Sequence, residues 1–313
     1  MPQHDYTENW DSFPSPIEED ELGGERVGFF FIDLGLAEIA PVADMPNLVR
    51  LRLNILQPDE NGLPDDREAA VLNEMEDALV TVMASQFDGI YPGRVTVRKG
   101  ALRPVTEEGA WRPVTEERAL RPATESERSF YFYLGKKTSG DEELRGALLA
   151  TLARVMADFP EYKYECRLQE DPEWKNYLEF MYPEPVQLQS MQNRRVVYQL
   201  MQHGDRLTVP RPVEHWIDFK TTQDREAYWN RVNAMGFELL EMSMVEADDD
   251  EDDEELRVTL LPPGEYPYSL HITRDDKVDY DSIDACVLPL WGLASEYDGN
   301  YDGWETGIVQ GEE

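Results

Sequence analysis

Residues 213–236 read VEHWIDFKTTQDREAYWNRVNAMG, and their reading decides the fold. Val213 to Phe219 has the length and composition of a strand. Thr221, with Asp224 three residues later, is a helix-start signature. Tyr228, Val232 and Met235 then recur at helical spacing, and Gly236 is placed to end the helix. Leu240, Met242 and Met244 follow, alternating with Glu241 and Ser243, as in a half-buried strand. Strand, helix and strand in succession require a sheet with helices packed on it.

The same pattern extends in both directions. Leu256, Val258 and Leu260 predict a further strand, and Tyr268, Leu270 and Ile272 another. Asp279 to Ser295 predicts a helix with Ile283, Val287, Leu290 and Ala294 inward, kinked or split by Pro289. Toward the N-terminus, Val27 to Leu34 is a continuous apolar run suited to a buried strand. In Leu48 to Leu56, Val49, Leu51, Leu53 and Ile55 alternate with Arg50, Arg52 and Asn54. Pro64, Asp65 and Asp66 open a helix striped by Leu72, Met75, Leu79 and Met83. Ile90–Val97, Arg128–Leu134 and Tyr162–Leu168 predict strands, and Asp141–Phe159 a helix. Trp174–Tyr182 is a short aromatic element before Pro183-Glu184-Pro185. The expectation is α+β: two α/β sandwich domains, each an antiparallel or mixed sheet covered by helices. They span 25–186 and 205–313, with a flexible acidic lead-in at 1–24 and a connector at 187–204.

Between two of these strands lies a nonamer written three times: ALRPVTEEG (101–109), AWRPVTEER (110–118) and ALRPATESE (119–127). Proline at every ninth position forbids a continuous helix or a central strand, so 101–127 reads as an exposed insertion.

Sixty-five Asp and Glu against 29 Lys and Arg give the 313 residues a net charge of −36. Such an excess argues against a face that grips nucleic-acid phosphates or an anionic membrane. The partner it suits is a basic protein, unless the charge serves solubility alone. The charge is uneven. Residues 205–313 hold 28 acids and 8 bases, and Glu246–Glu255 reads EADDDEDDEE. The candidate partner-binding residues are Asp248, Asp249, Asp250, Glu251, Asp252, Asp253, Glu254 and Glu255, with a merely solvated loop as the alternative. Two cysteines, Cys166 and Cys286, and no apolar leader point to a reducing, cytoplasmic setting.

Catalytic signatures are sparse. No GxGxxG, Walker loop or GxSxG occurs, and His4, His203, His215 and His271 are scattered. His271 falls on the polar face of its strand; Cys166 falls on the apolar face of its own. Asp298-Gly299-Asn300-Tyr301-Asp302-Gly303 matches the opening of a Ca²⁺ loop, but Val309 stands where that loop needs a glutamate. No cofactor, metal or catalytic residue is expected.

Val213-Glu214-His215, Gly236-Phe237, Ile283-Asp284-Ala285 and Tyr301-Asp302-Gly303-Trp304-Glu305-Thr306, in that order, resemble the RraB-like domain, the regulator of ribonuclease E activity B. Phe29-Phe30-Phe31-Ile32-Asp33, Phe130-Tyr131-Phe132-Tyr133 and Tyr177-Leu178-Glu179-Phe180 resemble the uncharacterised domain that accompanies it in some bacterial proteins. The resemblance implies a ferredoxin-like fold for 205–313 and a non-catalytic role. The implied role is to bind ribonuclease E, mainly at its regulatory scaffold region, and inhibit RNA cleavage. It also implies that Tyr301, Asp302, Gly303, Trp304 and Glu305 are structural, with an Asp-Gly turn and Trp304 packed on the sheet. Two other readings stand beside it. One is an enzyme or ligand-binding protein with an N-terminal cleft lined by Phe29, Tyr131, Tyr133 or Trp174. The other is a Ca²⁺ module at Asp298–Asp302.

Overall fold

A computed structural model of the protein describes residues 6–17, 26–59, 61–99, 125–135, 141–244 and 265–310. They divide into two compact units between Pro183 and Glu184.

The first unit runs β1 (Trp10–Ile17), β2 (Arg26–Asp33), a 3-10 turn (Leu34–Glu38), β3 (Asn47–Asn54), α1 (Asp66–Phe87) and β4 (Ile90–Lys99). It continues with β5 (Glu125–Leu134), α2 (Asp141–Met156), β6 (Tyr164–Glu170) and a π-helical turn (Asn176–Met181). The sheet order is β1-β2-β4-β5-β3-β6, every pair antiparallel. The alternation in β3 buries Val49, Leu51 and Leu53 under Leu72, Met75 and Leu79 of α1 and Leu144, Leu148 and Leu152 of α2. Asp65 caps α1 by accepting from the Arg67 and Glu68 N–H groups. Glu68 turns back to accept from Leu56 N, Gln57 N and Tyr162 Oη, which ties the helix start to the sheet.

The lead-in departs from expectation. Trp10–Ile17 is a full strand, registered on β2 along its length, with Phe13 stacked on Phe30 at 5.0 Å. Pro14 and Pro16 obscure it in the sequence. They lie two apart, so both turn their missing N–H to the same side, and β1 is an edge strand with an open side.

The second unit runs α3 (Pro185–Gln202), β7 (Arg211–Phe219), α4 (Thr222–Ala234), β8 (Glu238–Met244), β9 (Tyr268–Asp276), α5 (Tyr280–Glu296) and β10 (Gly299–Thr306). Its antiparallel sheet has the order β10-β7-β9-β8. That is β-α-β-β-α-β with strands ordered fourth, first, third, second, the ferredoxin-like arrangement. The first unit repeats it. Without the β1–β2 hairpin, β3–α1–β4–β5–α2–β6 stands in the order β4-β5-β3-β6, the same arrangement read from the other edge. One topology is built twice in this chain.

The stretch read as a connector, 187–204, is helix α3, which shares the core through Val197 and Leu200. Pro289 does not split α5, a single helix capped by Asp279. The strand expected at Leu256–Leu260 and the repeat through residue 124 lie outside the described residues.

Candidate functional site

The Tyr301–Thr306 motif occupies β10. Residues three apart on a regular strand face opposite ways, yet Tyr301 and Trp304 are both buried on the helix side. The register against β7 shifts between Tyr301 and Gly303, so a bulge inserts one residue and restores the inward face. Gly303 carries it at φ 153°, a conformation open to glycine and hostile to side chains. Asp302-Gly303 is therefore a bulge inside a strand, not the turn expected from Asp-Gly.

The two aromatics then hold the core by polar contacts. Trp304 Nε1 donates to Asn193 Oδ1 at 3.0 Å, and Asn193 Nδ2 donates to Asp284 Oδ1 at 2.8 Å. This chain joins β10 to α3 and α5. Tyr301 Oη lies 2.7 Å from His215 Nδ1, and His215 Nε2 lies 3.7 Å from Cys286 Sγ. Cys286 Sγ is 3.5 Å from Asp276 Oδ2, and Arg274 holds Asp276 at 2.7 and 3.1 Å. A cysteine, a histidine and an aspartate in a row invite a nucleophilic reading. The electrostatics oppose it. Burial pushes the Cys286 thiol up to about 12 and the His215 imidazole down to about 3. A thiol nucleophile needs the reverse, a thiolate beside an imidazolium. The row is a satisfied core network.

The surface with chemistry to offer is the other face of this sheet. α3, α4 and α5 pack on the face of Val213, His215 and Ile217, which leaves Glu214, Trp216 and Asp218 outward. Registered beside them are His271, Thr273 and Ser269 of β9, Glu305 and Asn300 of β10, and Glu241 of β8. Trp216 sits at the centre, stacked on His271 with ring centroids 4.3 Å apart. His271 Nε2 is 2.8 Å from Glu214 Oε2. Glu305 lies directly opposite Glu214, a like-charge pairing that costs the sheet stability. Burial raises the Asp218 carboxyl to about 6, against a hydrogen bond from Ser269 and with added push from Asp302. No strand residue registered on this face is Lys or Arg. It is a concentrated acidic field around a half-exposed indole, suited to a guanidinium or ammonium.

The profile of the family described as Regulator of ribonuclease activity B, RraB, matches residues 190–306. The profile of the Family of unknown function DUF695 matches residues 8–101 and 120–182. The chain belongs to the DUF695 family and carries an RraB domain. A comparison with curated proteins finds no match.

The RraB domain distributes the residues singled out by sequence unevenly. Tyr301 and Trp304 are core, Gly303 makes the bulge, and Asp302 and Glu305 are exposed. Asp248–Glu255 lie outside the described residues. Asp298–Asp302 do not make a Ca²⁺ loop. From Gly299 onward the segment is strand β10, whose extended rise carries Asp302 away from Asp298 instead of curling the chain round one point, and among the described residues no three His, Cys, Asp or Glu groups gather as metal ligands. Sequence reasoning missed Glu214, Trp216 and Asp218 of the RraB domain. Their period-two spacing between Val213, His215, Ile217 and Phe219 is the signal that marks them as one outward face.

Proposed function

We propose that this protein is a non-catalytic, cytoplasmic regulator that inhibits ribonuclease E by binding a basic segment of it. The observation that carries the reading is the helix-free face of the RraB domain, where Glu214, Asp218 and Glu305 surround Trp216 with no cation among the registered strand residues. An arginine laid on Trp216 gains about 0.5–2 kcal/mol from the ring, and the surrounding carboxylates steer it there at low salt. The run Asp248–Glu255 extends the same charge in sequence from β8, which ends at Met244. Its field at physiological salt reaches only about 8 Å, so the partner must approach closely.

The test is titration of a labelled basic segment of the cognate ribonuclease E with the full chain at low and high salt. The expected result is salt-sensitive binding, weakened about tenfold or more by Trp216→Ala and by Glu214→Lys. Binding that ignores salt and survives both substitutions overturns the reading of this face. Deleting 248–255 separates the contribution of the run from that of the sheet.

A further inference from the structure

The first unit presents the same place of the same topology with the opposite charge. Its sheet face away from α1 and α2 carries Leu48, Arg50 and Arg52 on β3, where β7 carries Glu214, Trp216 and Asp218. Arg50 stands directly opposite Arg167 of β6 on one side and Tyr131 of β5 on the other. Two cations facing each other across a ladder repel, and in a chain of net charge −36 carboxylates are abundant. Arg52 takes Glu127 at 3.4 Å and also Glu165, and Arg167 takes Glu165 at 2.7 Å. Arg50 takes none among the described residues. Its Nε donates to Ser129 Oγ at 3.1 Å, and its guanidinium lies 5.8 Å from the Tyr131 ring centroid. Neither contact uses the two terminal nitrogens.

Arg50 borders a cleft of about 80 Å³ lined also by Leu48, Tyr131, Arg167, Gln169 and Asn176. The wall at Asn176 opens the π-helical turn Asn176–Met181, a rare element that recurs at functional sites. Trp174, just before it, is held at φ 53°, which is strained for so bulky a residue. Asp171 fixes this wall by accepting from Lys175 N, Asn176 N and Tyr133 Oη. Asn176 Oδ1 is buried with no hydrogen-bond partner, at a cost of about 1–3 kcal/mol. The cleft is thus lined by a cation with free donors and by Asn176, whose amide oxygen has no donor. Of the residues read from sequence as lining an N-terminal cleft (Phe29, Tyr131, Tyr133 or Trp174), Tyr131 lines this one and the other three do not. Tyr133 and Trp174 are stacked at 3.9 Å and fill their region, and Phe29 registers with Thr96, on the opposite sheet face from Tyr131.

We propose that this cleft binds a small oxyanion, a carboxylate or phosphoryl group, bearing a hydroxyl on the adjacent carbon. The oxyanion accepts a bidentate pair from Arg50, with Arg167 beside it, as the planar guanidinium fork favours. The adjacent hydroxyl donates to Asn176 Oδ1. The volume admits a ligand of roughly five or six heavy atoms, since each water-sized group needs about 10–15 Å³ on this measure.

The test is calorimetric titration of the full chain at low salt with glycolate, acetate, hydroxymethylphosphonate and methylphosphonate. The expected result is saturable binding of glycolate or hydroxymethylphosphonate, tighter than that of the matching probe without a hydroxyl. Glycolate and hydroxymethylphosphonate separate the carboxylate from the phosphoryl source. Arg50→Gln is expected to weaken binding about tenfold or more, and Asn176→Ala to erase the preference for the hydroxylated probe. Arg167→Gln, at an exposed side chain, gives a second variant whose fold is not at stake, and it too is expected to weaken binding. Absence of saturable heat from all four probes up to about 10 mM, or equal affinity in the wild type and the Arg167→Gln protein, overturns the proposal.

Discussion

Tyr301 Oη and His215 Nδ1 lie 2.7 Å apart inside the RraB domain, and both residues are buried. The contact joins β10 to β7 and gives a buried imidazole one of its two partners. Tyr301→Phe leaves that nitrogen unpaired and is expected to cost about 1–3 kcal/mol by urea denaturation.

The same histidine sets an acid limit. Its folded value of about 3 lies below the ordinary 6.5, so its contribution to stability is present in full above pH 6.5 and is lost as pH falls toward 3. The expected outcome is a melting temperature that declines progressively below pH 6.5, with His215→Gln showing a shallower decline than the wild type. Equal slopes for the two proteins would place the acid sensitivity elsewhere.

Asp218 acts with the opposite sign. Its folded value of about 6 lies above the ordinary 3.8, so the fold favours the neutral carboxyl and loses stability as pH rises from 3.8 to 6. Asp218→Asn is expected to be more stable than the wild type above pH 6 and to differ less near pH 4. His215, fully buried, dominates the net profile, since desolvation is strongest where water is absent.

Gly303 is expected to resist substitution although nothing lies within 4 Å of an added Cβ. The obstacle is its backbone at φ 153°. Gly303→Ala should cost about 1–3 kcal/mol. Near-UV circular dichroism should also change, because relaxing the bulge turns Trp304 away from Asn193.

The pair Arg211 and Asp205 closes the end of the domain. Both side chains are buried, with Nη1 to Oδ2 at 2.5 Å. Burial alone would raise the Asp205 carboxyl, but Arg211 and the Val309 N–H more than offset it, and the net direction is down. Arg211→Met strands a buried carboxylate and is expected to cost about 3–5 kcal/mol, whereas Asp205→Leu with Arg211→Met together should cost far less. Chemical denaturation of the two variants side by side decides it.

Much of this was legible in the linear chain. Alternation in 213–219 and 48–54 fixes two strands with one buried face each, and Thr221 with Asp224 fixes where a helix begins, because side-chain period and capping are local properties. The order of motifs from Val213 to Thr306 was enough to recognise the RraB domain, and the acidic excess of 205–313 was visible by counting. The strand at Trp10–Ile17 was hidden because prolines are tolerated only where an edge is free, and sheet order is not a local property. Residues three apart on a regular strand, as Tyr301 and Trp304 are, face opposite ways; only the register shift at Gly303 puts them together. Nothing in the sequence separates Arg50 from Arg52. Arg52 finds Glu127 and Glu165 across two strand pairings from distant parts of the chain, while Arg50 meets Tyr131 and Arg167. Periodicity assigns a residue to a face, but strand register assigns its neighbours. Which charges are matched and which stay available for a ligand is therefore settled only when the sheet is assembled.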